Sequence, residues 1–178
     1  YIVDLSYRYD GSSRFARDYR FGSFWSAAVA WNITEEDFLA DSEIINSLKL
    51  RASVGETGSN SVGLNSYQSL FGYGGSYDDN GAVAPSSFGN AILTWEKQAQ
   101  YDIGIDYSIL DNRISGSIVA FNRKTSDLLQ SVPLSLTSGH SAQDKNIGEV
   151  ENRGVEIELS ADVIRNDDFT WTIYSNYA

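Results

Sequence analysis

Cysteine is absent from this chain of 178 residues, and histidine occurs only once. Without a thiol the chain can form no disulfide, no thiolate nucleophile and no zinc site built on cysteine. Basic residues are also scarce, because 13 Lys and Arg stand against 24 Asp and Glu and give a formal net charge of -11. Binding to a nucleic acid backbone requires clustered basic residues, so the composition argues against that class of partner.

Long hydrophobic runs are missing as well. No segment contains the roughly 18 successive apolar residues that a membrane-spanning helix requires. The N-terminus lacks a basic stretch followed by an apolar one, so we expect no signal peptide within the chain. Only 2 prolines occur beside 15 glycines, and aromatic residues reach 13%. This balance favours strands joined by turns, and the chain is predicted to be all-β.

Seven segments alternate with a period of two residues, which places successive side chains on opposite faces of a strand. In each segment one face carries no charge, and these sets begin near residues 1, 25, 48, 101, 114, 155 and 169. The opposite faces hold Asp4, Arg8, Lys49, Arg51, Asp102, Asp106, Glu156, Glu158 and Asp162. The pattern is least regular over residues 113–125, where Val119 and Phe121 fall on the polar side.

The links between these segments alternate between short and long. Tight turns are predicted at residues 111–112 and 165–167. A short helix is predicted over residues 34–47, beginning at Thr34 and carrying Phe38, Leu39 and Ile45 inward. The long links are residues 10–20, 59–95 and 127–148. Short turns at one rim and long loops at the other are typical of an outer-membrane β-barrel.

Alternation alone does not decide which face meets lipid, because a soluble barrel or β-sandwich shows the same pattern with its apolar face inside. Asymmetric rims, strands of at least the ~9–11 residues that span a bilayer, and aromatic residues near strand ends favour a membrane barrel. Those aromatic residues are Tyr1, Tyr9, Trp31, Tyr101, Phe169 and Tyr177. The sequence thus favours an antiparallel up-and-down transmembrane β-barrel segment of about seven strands. A soluble carbohydrate-binding β-sandwich is the alternative.

Five stretches carry a more specific signal. They are residues 10–15 (DGSSRF), 48–55 (LKLRASVG), 95–106 (WEKQAQYDIGID), 112–129 (NRISGSIVAFNRKTSDLL) and 146–161 (NIGEVENRGVEIELSA). In this order they resemble the SusC/RagA family of TonB-dependent transporters, and the resemblance covers nearly the whole chain. It implies a multi-pass barrel in the lipid of the outer membrane of a Gram-negative bacterium of the Bacteroidota.

The resemblance also implies a transport function and several partners. A SusC/RagA protein imports an oligosaccharide or a peptide together with a SusD-like surface lipoprotein, and TonB supplies energy through a plug. Residues 1–178 are then a partial barrel domain, expected to lack the plug, the signal peptide and the aromatic-ended final strand. Seven strands are too few for the roughly 22 of a plugged transporter, so the remaining wall is expected elsewhere in the parent chain.

The link over residues 59–90 interleaves aromatic rings with Gly, Ser and Asn, which suits stacking on sugar rings and hydrogen bonding to their hydroxyls. Its candidate ligand-binding residues are Tyr67, Phe71, Tyr73, Tyr77 and Phe88. The alternative is that these rings pack on neighbouring loops or on the partner lipoprotein. Arg14 and Arg17, with Arg20 nearby, suit clamping a carboxylate or sulfate, or else form loop-stabilising ion pairs with Asp10 and Asp18.

No catalytic, cofactor-binding or metal-binding residue is predicted. Glu156 and Glu158 share a strand face at about 7 Å, which would suit glycoside hydrolysis, but a hydrated wall accommodates such carboxylates without chemistry. His140 has no second imidazole or thiol with which to build a zinc site. A faint calcium-loop pattern from Ser76 has Ser87 where a bidentate Glu is required. The chain is therefore predicted to be a non-enzymatic transporter segment, with a glycosidase as a third hypothesis.

Overall fold

A computed structural model describes residues 1–39, 42–78 and 80–178, apart from the side chain of Tyr77. The strands are β1 (Ile2–Gly11), β2 (Phe21–Asn32), β3 (Ile45–Ser59), β4 (Leu70–Tyr77), β5 (Asn80–Ser87), β6 (Glu96–Ile109), β7 (Ile114–Ser126), β8 (Leu129–Pro133), β9 (Ala142–Asn146), β10 (Glu149–Arg165) and β11 (Thr170–Tyr177). Three 3-10 helices cover Arg17–Tyr19, Ile33–Glu35 and Leu136–Ser138 in the described part of the chain. Within the same residues, no helix is long and apolar enough to cross a membrane.

Seven strands form one antiparallel sheet in the order β1-β2-β3-β6-β7-β10-β11, with β1 and β11 at its edges. The other four strands form two separate hairpins, β4-β5 and β8-β9. Once these hairpins are set aside, each strand of the sheet pairs with the strands before and after it in the chain. The prediction of an up-and-down barrel segment of about seven antiparallel strands is therefore confirmed.

Cross-strand pairing collects the uncharged side chains on one side of the sheet, which we call the apolar face. One row on it runs through Val3, Val29, Ala52, Ile103, Ala120 and Val155. The other side is the polar face. One of its rows runs through Asn32, Lys49, Asp106, Ser117, Glu158 and Asn176. A slip of one residue in any strand would exchange its two faces, so the alternation of the sequence specifies the register.

No second sheet covers the apolar face in the described residues. Leu5 and Ile103 on this face are 76% and 55% exposed. In a β-sandwich they would pack against a facing sheet about 10 Å away. The remaining strands form only two-stranded hairpins in the long links, so the soluble β-sandwich alternative is wrong.

Stacked aromatic pairs lie at both ends of the hairpin formed by β1 and β2. The rings of Tyr1 and Trp31 lie 6.0 Å apart, and those of Tyr9 and Phe21 lie 5.2 Å apart. The nine residues from Tyr1 to Tyr9 cover about 27 Å along the strand at ~3.4 Å per residue. That length matches the ~9–11 residues of a membrane-spanning strand, with an aromatic pair at each limit.

Phe121, one of the two positions that broke the sequence pattern, has a packing explanation. Phe121 lies opposite Gly154, and a Cβ on that glycine would be 3.0 Å from the ring. The guanidinium of Arg123 lies 5.0 Å from the centre of the same ring. The aromatic ring therefore fills the space that the glycine leaves open on the polar face.

The turns at one end of the sheet, which we call the short-link end, match the prediction in two of three cases. Leu110, Asp111 and Asn112 adopt positive φ angles of 54°, 56° and 60°, as a tight hairpin turn requires. The N–H of Asn166 donates to the carbonyl of Phe169 at 2.9 Å and closes the second turn. Both predicted turns are confirmed.

The predicted helix over residues 34–47 is wrong in extent. The described part of this link contains the 3-10 turn Ile33–Glu35. Phe38 is 71% exposed instead of directed inward, whereas Leu39 and Ile45 are half-buried. The indole of Trp31 donates to the carboxylate of Glu36 at 2.8 Å, and Glu36 has an extended backbone. The helix ends at the extended backbone of Glu36, and an isolated helix of this length is only marginally stable in water.

Candidate functional site

The three long links meet at the opposite end of the sheet, which we call the long-loop end. Two of them contain the hairpins β4-β5 and β8-β9, which the sequence pattern did not reveal. In β4 three glycines weaken the strand signal, and β5 contains Pro85. The links are therefore folded structures, and they present the candidate ligand-binding residues.

A small hydrophobic cluster joins the links to the sheet. We call it the loop-base core, and it consists of Phe15, Phe24, Val62, Leu93 and Trp95, with Leu129 packed against it. Phe15 and Leu93 are completely buried. The ring of Trp95 lies 5.5 Å from that of Phe15 and 5.3 Å from that of Phe24. The core therefore connects residues from the first two long links to strand β2.

Polar ties and a glycine support this packing. The indole of Trp95 donates to the carbonyl of Arg20 at 3.0 Å. A Cβ on Gly58 would overlap the ring of Phe24, so only glycine fits at this position. Sequence reasoning missed the core, although residues 10–15 and 95–106 are two of the stretches that carry the family resemblance and contain Phe15 and Trp95.

Amide side chains hold the second and third long links together. Asn146 accepts a hydrogen bond from the N–H of Thr94 at 2.9 Å and donates to its carbonyl at 2.8 Å. Asn90 donates to the carbonyl of Asp144 at 2.9 Å, and Gln143 donates to that of Gly89 at 2.8 Å. Because side-chain amides pair with backbone groups of the other link, the two links are fixed relative to each other.

An open groove lies between the two hairpins. Its lining includes Asn65, Ser66, Ser87, Phe88, Gln143 and Asp144. The ring of Phe88 stacks on His140 with 5.0 Å between centroids, so the lone histidine bridges the two links. The groove thus offers one aromatic surface surrounded by hydroxyl, amide and carboxylate groups, a combination that suits a polar ligand with apolar faces.

The hairpin β4-β5 presents apolar side chains to solvent. Phe71 pairs with Pro85, and Tyr73 pairs with Val83, so these four side chains share one face. Phe71 and Tyr73 are 70% and 95% exposed. The side chain of Tyr77 lies outside the described residues. An isolated two-stranded hairpin is only marginally stable in water, so this exposed face is suited to contact with another molecule.

The remaining sequence candidates have different surroundings. The hydroxyl of Tyr67 accepts a hydrogen bond from Gln68 at 2.9 Å on the same link. Arg14 donates to the carbonyl of Val62, which ties the first long link to the second. Arg17 is exposed on the 3-10 helix of the first link. Of the two arginines proposed for ligand binding, Arg17 is therefore the one directed toward solvent.

The loop-stabilising ion pairs considered for these arginines differ from those found. Asp10 pairs with Arg8 of its own strand at 2.6 Å. Arg20 donates through Nε to the carbonyl of Phe15 at 3.3 Å. The arginines therefore stabilise the link through backbone carbonyls, a use that the residue types alone did not reveal.

The polar face of the sheet forms a hydrated wall below the loops. Arg51 lies 3.2 Å from the carboxylate of Asp106 on the neighbouring strand. A Cβ on Gly104 would be 3.2 Å from the guanidinium carbon of Arg51, so the glycine leaves room for this side chain. Asp102 accepts a hydrogen bond from Gln100 at 2.7 Å. Arg51 and Asp106 therefore form an ion pair across strands while both side chains stay partly exposed.

The glutamates that suited glycoside hydrolysis are exposed on this wall. Glu156 lies opposite Val119, and Glu158 lies opposite Ser117, both in contact with solvent. Neither is enclosed by apolar side chains. Within the described residues, no group of three His, Cys, Asp or Glu side chains lies close enough to hold a metal ion.

Comparison with known proteins gives the same family over the full chain. Residues 1–178 match the family model described as TonB dependent receptor-like, beta-barrel. TonB-dependent receptor P3 of Formosa agariphila is 40% identical over 100% of this chain and 18% of its own length. TonB-dependent receptor SusC of Bacteroides thetaiotaomicron is 37% identical over 99% of this chain and 18% of its own length.

Solved structures agree with the sequence comparison. The structure of the RagAB peptide transporter superposes with a TM-score of 0.91 at 32% identity, and the match covers 98% of this chain and 19% of that one. The RagAB peptide importer in an 'open-open' state superposes with a TM-score of 0.86. The resemblance to SusC/RagA proteins is thus confirmed, and the chain spans less than a fifth of the length of these relatives.

Proposed function

Because this chain belongs to the TonB-dependent receptor-like β-barrel family, we propose that it forms part of an outer-membrane transporter. The parent protein imports an oligosaccharide or a peptide into a Gram-negative cell, together with a SusD-like surface lipoprotein. TonB supplies the energy through a plug that belongs to the rest of the parent protein. The chain contributes wall and extracellular loops, and it performs no catalytic step.

The apolar face carries this proposal. Along nine positions of β6, from Tyr101 to Ile109, the outward side chains are uncharged, and Tyr101 and Ile103 are each 55% exposed. Burying a large apolar side chain contributes about 1.5–3 kcal/mol, so leaving a whole sheet face in water is strongly unfavourable. Hydrocarbon chains on this face and water on the opposite face satisfy both sides of the sheet.

The proposed position of the sheet in the membrane also predicts which of its ends faces the outside of the cell. Transmembrane barrels have short periplasmic turns and longer extracellular loops. The short-link end then lies in the periplasm, and the long-loop end faces the outside of the cell. This orientation presents the groove and the hairpin β4-β5 to incoming nutrients.

We assign the ligand contacts to the long-loop end. The proposed contact residues are Phe71, Tyr73 and Tyr77 on the hairpin, Tyr67 on the same link, and Arg17 on the first long link. An aromatic ring can stack on a sugar or on a peptide side chain, and amides and hydroxyls can bind polar groups of either ligand. RagAB is described as a peptide transporter, so the substrate class must be tested directly.

Uptake measurements in cells that carry the full-length transporter test this function. Labelled oligosaccharides and labelled peptides are supplied to the wild type and to a deletion strain. We expect one of the two classes to enter only when the transporter is present. If the deletion strain takes up both classes as well as the wild type does, the transport proposal is contradicted.

A matched pair of substitutions tests the hairpin. Phe71→Ala combined with Tyr73→Ala should reduce uptake several-fold, whereas Phe38→Ala at the opposite end should leave it unchanged. Phe38 is a suitable control because it is 71% exposed, against 70% for Phe71. Lost uptake with the lipoprotein still bound indicates ligand contact, and lost binding of the lipoprotein indicates a partner surface. Unchanged uptake and unchanged binding would remove the hairpin from the site.

A further inference from the structure

The polar face carries an arginine, Arg123, whose charge is not neutralised by a neighbouring carboxylate. Arg8 on the same face pairs with Asp10 at 2.6 Å, and Arg51 pairs with Asp106 at 3.2 Å. Arg123 takes part in none of the four ion pairs found among the described residues. Of these three arginines, Arg123 is therefore the one whose positive charge is free to bind an anion from outside the described residues.

An aromatic ring holds the guanidinium of Arg123 in place. Its Cζ atom lies 5.0 Å from the centre of the Phe121 ring, and that ring fills the space beside Gly154. Arginine stacks well on aromatic faces because its planar cation is attracted to the ring and is weakly hydrated. Its Nε atom is buried and has no hydrogen-bond acceptor within the described part of the chain. Since the side chain as a whole is only half-buried, its terminal nitrogens are the groups that can donate to a partner.

The strands beside β7 place uncharged amides next to Arg123. Gln100 on β6 and Asn152 on β10 lie directly opposite it. Asp102, one pair further from the long-loop end, is the acidic position nearest to Arg123 in the register of this face. Its carboxylate already accepts hydrogen bonds from Gln100 at 2.7 Å and from Ser53 at 3.3 Å. The site around Arg123 therefore combines one cation with two amides and an aromatic surface.

A carboxylate is the group that this arrangement fits. The guanidinium presents its N–H groups in one plane and can bind both oxygens of a carboxylate, through hydrogen bonds roughly twice as strong as neutral ones. The amides of Gln100 and Asn152 can bond to polar groups beside that carboxylate. The wall between Arg123 and the short-link end is rich in acidic side chains, which are Asp102, Asp106, Glu156, Glu158 and Asp162. An anion in the wet interior is therefore attracted to Arg123 and repelled by much of the wall beyond it.

Arg123 lies close to the end of the wall at which the long loops begin. Strand β7 ends three residues later, at Ser126, which places Arg123 about 10 Å inside the wall at ~3.3 Å per residue. Under the proposed function, a ligand that leaves the long loops meets this position first on β7. Transport requires a site that binds well enough to admit the ligand and weakly enough to release it. A single cation followed by acidic wall meets both conditions.

We propose that Arg123, held on the ring of Phe121, binds a carboxylate of the imported ligand just inside the long-loop end. The inference rests on the proposed function and deepens it, because it names the chemical group that this part of the wall recognises. A peptide presents such a group at its C-terminus, and an acidic oligosaccharide presents it on a uronic acid.

An NMR titration of the detergent-purified, full-length transporter, isotope-labelled at its arginine side-chain nitrogens, tests this site. The probes are propionate and its neutral counterpart propionamide. Because Nε of Arg123 is buried, its N–H should exchange slowly with water and give a signal, which the variant Arg123→Lys identifies by its loss. We expect propionate to shift this signal until the site is saturated, and propionamide to leave it in place. The signals of Arg8 and Arg51, which are already paired, should move much less.

An Arg123 signal that does not respond to propionate would overturn the proposal. The same result is expected if an acidic residue elsewhere in the parent protein already occupies the guanidinium. A shift of equal size with propionamide would also overturn it, because the site would then not distinguish a charged ligand from a neutral one.

Uptake by cells that carry the full-length transporter tests the role of the site in transport. For the ligand class that enters, a form with a free carboxylate is compared with its neutral amide. Arg123→Gln should lower uptake of the carboxylate form roughly tenfold and leave uptake of the amide unchanged. Arg8→Gln removes a cation from the same face, but one already paired with Asp10, and should change neither. Equal losses for both forms in the Arg123 variant would contradict carboxylate recognition.

The site and the proposed function fail in different ways. A transporter that imports the carboxylate and amide forms equally well, with Arg123 unresponsive to propionate, contradicts only the site. A protein that imports neither oligosaccharides nor peptides, although propionate shifts the Arg123 signal, contradicts only the proposed import.

Discussion

The strand wall and the long-loop end of this chain are stabilised in different ways. In the wall, the direction of each side chain follows from its position in the strand, and apolar side chains such as Leu5 and Ile103 are exposed. At the long-loop end, Phe15 and Leu93 are completely buried in a small core formed by distant segments. Under the proposed function the wall depends on its lipid environment, whereas the loops carry their own core.

The largest expected effect separates these two regions directly. Phe15→Ala should cost about 3–5 kcal/mol of the local stability of the long-loop end, because a fully buried ring is replaced by a cavity. Hydrogen exchange of residues 60–95 should accelerate strongly, while the amides of β6 and β7 stay protected. The control Phe71→Ala, on a 70% exposed side chain, should leave exchange of the loops nearly unchanged. Loss of protection in the strands as well would mean that wall and loops form one cooperative unit.

A substitution on the apolar face should destabilise the strand wall instead of the long-loop end. Ile118→Arg places a charge on the apolar face, opposite Ile105 and Ile157, and should cost about 2–4 kcal/mol in a bilayer. The preceding residue, Ser117, lies on the polar face opposite Asp106 and Glu158, so Ser117→Arg should change the stability very little. Urea unfolding of the full-length protein in lipid vesicles measures both. If Ile118→Arg and Ser117→Arg lower the free energy of unfolding by similar amounts, the assignment of the two faces is contradicted.

A smaller effect is expected where a ring covers a glycine in the wall. A Cβ on Gly116 would overlap the carbonyl oxygen of Glu158 and lie 2.8 Å from the hydroxyl of Tyr107. Gly116→Ala should therefore destabilise the barrel by about 1–3 kcal/mol through overpacking. Gly74→Ala in the hairpin, where a Cβ would meet nothing within 4 Å, is the matched control. Thermal unfolding that is equally affected by both substitutions would rule out this packing.

The smallest effect concerns the short-link end. A hydrogen bond from Trp31, and a second from Tyr1, hold the pKa of Glu36 below its usual range. A carboxyl whose pKa is lower in the folded state stabilises the turn above its unfolded pKa, and this contribution is lost as pH falls through the folded pKa. Trp31→Phe should raise the pKa of Glu36 in an NMR titration, and Trp171→Phe should not. An unchanged pKa in the Trp31 variant would show that the indole is not the cause.

The wall was predictable from the sequence because its signal is local. Alternation identifies the seven strands, and short links identify their neighbours, so the order of the sheet follows. The register follows from which side of each strand is apolar, so it requires no contact between segments far apart in the chain. Even the irregular Phe121 fits once its glycine partner, Gly154, is known from the pairing.

The long-loop end was not predictable in the same way. Phe15 and Trp95 are 80 residues apart in the chain, and no periodic pattern connects them. The side-chain amide of Asn146 bonds to the backbone N–H and carbonyl of Thr94. Any Asn side chain could form such bonds, so the residue type does not identify the partner. The family resemblance included these residues, but only the fold shows that they contact one another. The ligand contacts that the sequence predicts for Tyr67, Phe71, Tyr73, Tyr77, Arg14 and Arg17 remain predictions.

Spin labelling of the full-length transporter in lipid vesicles tests the central claim most directly. These 178 residues contain no cysteine, so a label introduced at one position is the only one in this part of the protein. Labels at Ile103, Ile105, Ile157 and Leu159 should be accessible to oxygen dissolved in the bilayer, and labels at Asp102, Asp106 and Glu158 to a water-soluble nickel chelate. Apolar-face labels that are shielded from both reagents would place these residues in a dry protein interior and contradict the account.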